Sequence, residues 1–189
     1  MAIALTAAAP LVAHADTWQI DPAHTNVEFT VRHLMISNVK GQFEKTTGTI
    51  TTDPANLTAS SIDATIDASS INTRVDMRDG HLKSPDFLDV AKYPTITFKS
   101  TKIEADGPGN WKVTGDLTLH GVTKPVVLAV EATGTPIKDP NGNTRAGASA
   151  TTKIDRRDYG LTWNKALEAG GVVVGDEIKI SIDLEAIKK

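Results

Sequence analysis

The chain has 189 residues, 40% of them hydrophobic and 23% charged, with a formal net charge of −3. That length suits one domain of sandwich or barrel type, and the composition excludes an intrinsically disordered chain. Lys and Arg scattered among a slight excess of acids argue against a broad basic footprint for nucleic acid or anionic lipid. The absence of cysteine excludes a disulfide scaffold, a thiolate nucleophile and a thiolate-held metal.

Residues 1–15, MAIALTAAAPLVAHA, are an apolar stretch ending in the small-x-small pattern Ala13, His14, Ala15. They read as a signal peptide, shortened at its start because the usual cationic segment is missing, ahead of a single domain over residues 16–189. The mature protein is therefore expected to be exported to the periplasm. No other stretch nears the twenty or so apolar residues that a membrane-spanning helix needs.

Beyond residue 15 a period of two dominates. Val27, Phe29 and Val31 alternate with Glu28, Thr30 and Arg32, and Ile62, Ala64, Ile66 and Ala68 with Asp63, Thr65 and Asp67. A different period intervenes at Arg78–Ser100. Met77, Leu82, Phe87, Leu88 and Val90 recur at roughly helical spacing, so one amphipathic helix is expected up to Pro94, followed by a strand carrying Ile96 and Phe98. The alternation returns at Val113, Leu117 and Leu119, at Val126, Leu128 and Val130, and at Ile178, Ile180, Ile182 and Leu184. Turn signals separate these runs at Asp53-Pro54, Asp106-Gly107-Pro108-Gly109, His120-Gly121, Asp139-Pro140-Asn141-Gly142 and Gly175-Asp176. Short connections imply antiparallel neighbours, hence a two-sheet sandwich or an up-and-down barrel with the helical segment as its cover.

Catalytic signatures are scarce. His24, His33, His81 and His120 fall in no ligand-spaced pair, and there is no GxSxG motif or glycine-rich phosphate loop. Arg156, Arg157 and Asp158 form a charged knot that reads as solvated or locally paired surface. What remains is non-covalent capture of something apolar, which an eight-stranded barrel can perform without any motif.

The segments RDGHLKSPDFLDVAKYPTITFKS and GDLTLHGVTKPVVLAV closely resemble the YceI family of lipocalin-like, polyisoprenoid-binding proteins. The resemblance extends through WQIDPAHTNVEFTVRH, GQFEKTTGTI, ATTKIDRRDYGL and VGDEIKISIDLEAI, nearly the whole of residues 16–189. It implies an all-β fold, an extended eight-stranded antiparallel barrel with a short helical cover, and an internal apolar tunnel. It also implies a periplasmic or secreted protein that binds a polyisoprenoid or isoprenoid quinone-like lipid, with a homodimer possible; the scarcity of catalytic and ligand-spaced motifs adds the expectation of no catalysis, no cofactor and no metal.

Within that barrel the alternation places Phe29, Val31, Phe43, Ile50, Ile62, Ile66, Phe98, Val113, Leu117, Val126, Leu128, Ile178, Ile180 and Ile182 inside. Leu82, Phe87 and Leu88 are expected to point down from the cover. His24, Arg32, His33, Arg78 and His81, all beside loops, are the candidate polar mouth. Two other readings stay open. One is an enzyme acting on the lipid through His24, His33 or His81, and the other an envelope stress or interaction protein whose barrel is filled by its own side chains.

Overall fold

The computed structural model describes residues 15–189 except residue 169. The signal-peptide reading lies on residues 1–15, almost wholly outside the described ones.

Twelve strands build the sheet: β1 (Asp16–Ile20), β2 (Asn26–His33), β3 (Ser37–Phe43), β4 (Thr46–Thr52), β5 (Ser61–Asp67), β6 (Ile71–Asn72), β7 (Thr95–Ala105), β8 (Asn110–Leu119), β9 (Val122–Ala132), β10 (Ile137–Lys138), β11 (Thr144–Asp155) and β12 (Val174–Lys188). All named pairings are antiparallel. β1 and β2 lie along the same side of β12, with Ile20 opposite Ala186 and Asn26 opposite Asp183, so they act as one bent wall strand. The bend falls at Asp21-Pro22-Ala23-His24, where the Asp21 carboxylate accepts the Ala23 amide at 3.0 Å in an Asx turn. β3 with β4 and β5 with β6 are bent in the same way, since β3 pairs β2 and β6 while β4 pairs β1 and β5. These three walls, the single strands β7, β8, β11 and β12, and β9 prolonged along the same edge of β11 by the short β10 make eight. β12 bonds to β2 on one edge and β11 on the other, closing the barrel and leaving no long unpaired edge.

Strand alternation then decides which residues meet inside. Phe29 of β2 faces Ile180 of β12 and Gly41 of β3, and Phe98 of β7 faces Leu117 of β8. Two glycines let these rings lie along the wall rather than across the interior. A Cβ at Gly41 would stand 2.4 Å from Phe29 Cζ, and one at Gly115 would stand 2.4 Å from Phe98 Cζ. A register shift between Ser100 and Lys102 breaks the alternation of β7, so that Ile103 comes opposite Val113.

Among the described residues the single α-helix, α1 (Asp76–Lys83), crosses one end of the barrel. It is shorter than the helical spacing up to Val90 suggested. Ser84 is already extended, with φ −74° and ψ 170°, as the residue before Pro85 must be, so the helix stops there and not before Pro94. From Ser84 the chain descends in hydrogen-bonded turns, with Leu88 N donating to Leu82 O and Val90 N to Lys83 O. Phe87 and Leu88 are buried by this descent, whereas Met77, expected on the apolar face, is 85% exposed. Beneath the turns Ala68, Ile71, Leu88, Ile96, Leu119, Tyr159 and Leu161 pack into a buried cluster. This is the cover end; the opposite, far end carries the turns after β4, β7 and β9.

Candidate functional site

Inside the barrel is a cavity of about 280 Å³, just below the range of roughly 300–1,000 Å³ typical of small-molecule sites. Its wall is almost entirely apolar and runs from Leu82, Phe87 and Leu161 near the cover to Ile20, Val130 and Leu184 toward the far end. Phe29, Phe43, Ile50, Ile62, Leu128 and Ile180 keep part of their surface accessible although they point inward, because they border open space rather than one another. The cover-end cluster is packed like an ordinary core.

β11 explains much of this room. Ala148, Ala150 and Thr152 face inward opposite Leu184, Ile182 and Ile180, so a row of small side chains stands beside a row of large ones. The same alternation would fill the barrel if those positions held leucine. Thr46, buried among Ile20, Ile66 and Gly48, carries a hydroxyl with no hydrogen-bond partner in an otherwise apolar stretch of wall.

Of the residues expected inside, Phe29, Val31, Phe43, Ile50, Ile62, Ile66, Phe98, Leu117, Val126, Leu128, Ile178, Ile180 and Ile182 border the cavity, joined by Leu82, Phe87 and Leu88 from the cover. Val113 does not. It lies beyond the β7 irregularity, buried opposite Ile103 and away from the cavity wall. Sequence reading missed Ile20, Val27, Ile71, Ile96, Leu161 and Leu184 as lining residues; Val27, Ile96 and Leu184 were legible from the same alternation that found their neighbours. Ala148 and Ala150 carried no apolar-polar contrast to read.

The five candidate mouth residues do not converge. Arg32, His33, Arg78 and His81 are at the cover end, but His24 is at the far end. Arg32 donates to Asn38 at 3.3 Å. Arg78 clamps Thr73, with Nε to Thr73 Oγ1 and Nη2 to Thr73 O, both at 2.7 Å, and so ties α1 to the strand that precedes it. His81 shares a 2.9 Å hydrogen bond with Asp86 and meets Phe87 and Trp163 edge-on, with ring centroids 5.0 Å apart in each case. This aromatic contact joins the cover to the loop between β11 and β12.

That loop is held by Arg156, only 3% exposed. Nε donates to Gly175 O at 3.0 Å, Nη1 to the carbonyls of Leu161 and Trp163, and Nη2 to Val174 O at 3.4 Å and Asp176 Oδ1 at 3.0 Å. The residue also borders the cavity, but its hydrogen-bonding capacity is spent on the protein. It is thus a buried clamp, whereas Arg157 and Asp158 are the solvated or locally paired surface that the charged knot suggested. Burial beside Arg156 raises the Tyr159 phenol pKa.

At the far end Arg145 gathers three carboxylates: Nη1 meets Asp21 at 2.7 Å and also Glu185, and Nε meets Asp139 at 2.7 Å. Hydrogen bonds from His24 and then Arg145 hold Asp21 at a pKa of about 2, and the Arg145 bond holds Asp139 well below the usual carboxylate range. Asp21, His24 and Glu185 could bring three ligand atoms within 4.8 Å of one another. The guanidinium bonded to both carboxylates sets a positive charge where a cation would sit, which opposes a metal there.

A YceI-like domain is matched over residues 18–186 of the chain. The chain belongs to the YceI-like family. Among curated YceI-like relatives, a UPF0312 protein of Vibrio cholerae is 43% identical over 165 residues, covering 85% of this chain and 87% of its own. The crystal structure of a Campylobacter jejuni YCEI protein superposes with a TM-score of 0.71 at 38% identity, over 83% of this chain and 89% of that one. A polyisoprenoid binding domain from Saccharophagus degradans shares the fold, with a TM-score of 0.65 at 18% identity, over 91% of this chain and 98% of that one. The YceI-like barrel accounts for the closed sheet; which chain segments line its bore is a property of the residues above.

Proposed function

We propose that this protein binds the apolar chain of an amphiphilic lipid, of the polyisoprenoid or isoprenoid quinone type, inside the barrel, and carries or stores it in the cell envelope after export. The observation that carries this reading is the set of large inward side chains left facing open space, because a folded chain ordinarily closes its core to near-crystalline density. An unfilled apolar bore therefore calls for an occupant. Each methylene transferred into it is worth about 0.8 kcal/mol, so a long chain binds without a strong polar contact. The polyisoprenoid class rests on the family and on the S. degradans domain that shares the fold.

The role is non-catalytic. His24 lies at the opposite end from His81, and His81 is engaged by Asp86 and two aromatic rings, which supports binding over acid-base chemistry at either residue. The test is gentle purification of the full chain from a host that exports it, followed by native mass spectrometry and lipid extraction. A copurifying prenyl-type chain, and thermal protection on adding one, are expected. Lipid-free protein that gains no protection from added prenyl chains would contradict the reading.

A further inference from the structure

Among the described residues, five of the eight most exposed large hydrophobics sit at the cover end: Leu34, Met35 and Ile36 in the β2–β3 turn, and Val75 and Met77 at the start of α1. Ile36 is 76% exposed and Met35 47%. Their backbone is constrained rather than slack. Leu34 and Met35 hold φ of 50° and 62°, and Arg74, just before Val75, holds 65°, a region that bulky L-residues rarely occupy. Leu34 N is bonded to Val173 O at 2.8 Å, and Arg78 and Asp79 both grip Thr73. The fold therefore keeps these apolar tips in water when a relaxed turn with polar residues would have served.

Arginines interleave with them: Arg32 lies two residues before Leu34, and Arg74 and Arg78 flank Val75 and Met77, with Asp76 and Asp79 the acids beside them. Arg32 and Arg78 bond to Asn38 and Thr73 rather than to carboxylates, unlike Arg156 and Arg157 at the same end, which pair with Asp176. Resting on the chain-binding reading above, we propose that the cover end docks on a phospholipid bilayer: Met35, Ile36 and Met77 insert at the headgroup boundary, and Arg32, Arg74 and Arg78 meet lipid phosphates. The net charge of the whole chain is acidic, so this attraction is local and the apolar tips supply most of it. Docking brings the end where Val31, Leu82 and Phe87 border the bore against the phase in which a long apolar ligand is dissolved.

Cosedimentation of the exported full chain with vesicles of phosphatidylethanolamine and phosphatidylglycerol tests this, beside the variant with Ile36→Ser and Met77→Ser. The wild type should sediment, and the variant should partition about tenfold or more weakly, with unchanged melting temperature and unchanged uptake of a prenyl chain from detergent micelles. Equal sedimentation of both proteins would overturn the proposal. So would absence of vesicle binding together with a dimer that the two substitutions dissociate, which would assign the patch to a second copy. Vesicle binding by a wild type that takes up no prenyl chain would instead refute the bore reading and leave docking standing.

Discussion

Arg145 near the start of β11 and Arg156 just past its end stand roughly a strand's length apart, about 36 Å at roughly 3.3 Å per residue, and each collects several oxygens, yet they meet different needs. Arg156 is buried and satisfied chiefly by the backbone carbonyls of Leu161, Trp163, Val174 and Gly175, so one guanidinium ties the irregular loop to the start of β12 where no continuous ladder joins them. Arg145 is partly exposed and satisfied by carboxylates, joining the first bend of the chain, the turn after β10 and the last strand. One fixes the shape of a cover. The other fastens segments far apart in sequence at a polar edge. A buried donor set is sensitive to deletion and indifferent to salt, while a partly exposed ion cluster answers to pH and ionic strength.

The largest effect should come from the buried arginine. Arg156→Ala leaves the carbonyls of Leu161, Trp163 and Gly175 without their donor and should cost about 3–5 kcal/mol in chemical denaturation, with a shift in Trp163 fluorescence as the loop loosens. Loss below about 1 kcal/mol would show that the loop holds itself. Arg145→Ala should lower the melting temperature less at neutral pH, and in a pH-dependent way. The carboxyl of Asp21 is depressed in the folded state, from its ordinary 3.8 to about 2, so its contribution is complete above pH 4 and lost as pH falls toward 2. The gap between wild type and Arg145→Ala should therefore narrow across that window. A gap that stays constant, or widens in acid, would break the contrast between the two arginines.

The barrel was legible because alternation and turn residues agree along most of the chain. Val27–Val31, Ile62–Ile66 and Ile178–Leu184 all point the same residues inward that the register places there. β11 was not legible: Ala148, Ala150 and Thr152 are too small and too uniform to show a face, although they are what keeps the bore open. The helix was read too long because Pro94 was weighed and Pro85 was not. The sequence singled out Arg156 only as part of a charged knot, and Arg145 not at all. Backbone carbonyls carry no sequence signature, so the clamp at Arg156 was invisible, and the partners of Arg145 lie at positions 21, 139 and 185, which only the closed sheet brings together. His24 looked like a mouth residue because it borders a loop, but loops occur at both ends of a barrel.

The central claim is that the interior is a site and not a core, and Ala150→Phe tests it most directly. Ala150 faces the cavity between Val130 and Ile182, so an added ring projects into the open space. Binding of a prenyl chain should fall about tenfold or more, measured by titration against wild type, while the melting temperature of the empty protein holds or rises. A sharp drop in melting temperature, as overpacking of a filled core produces, with no prenyl binding by the wild type, would contradict it.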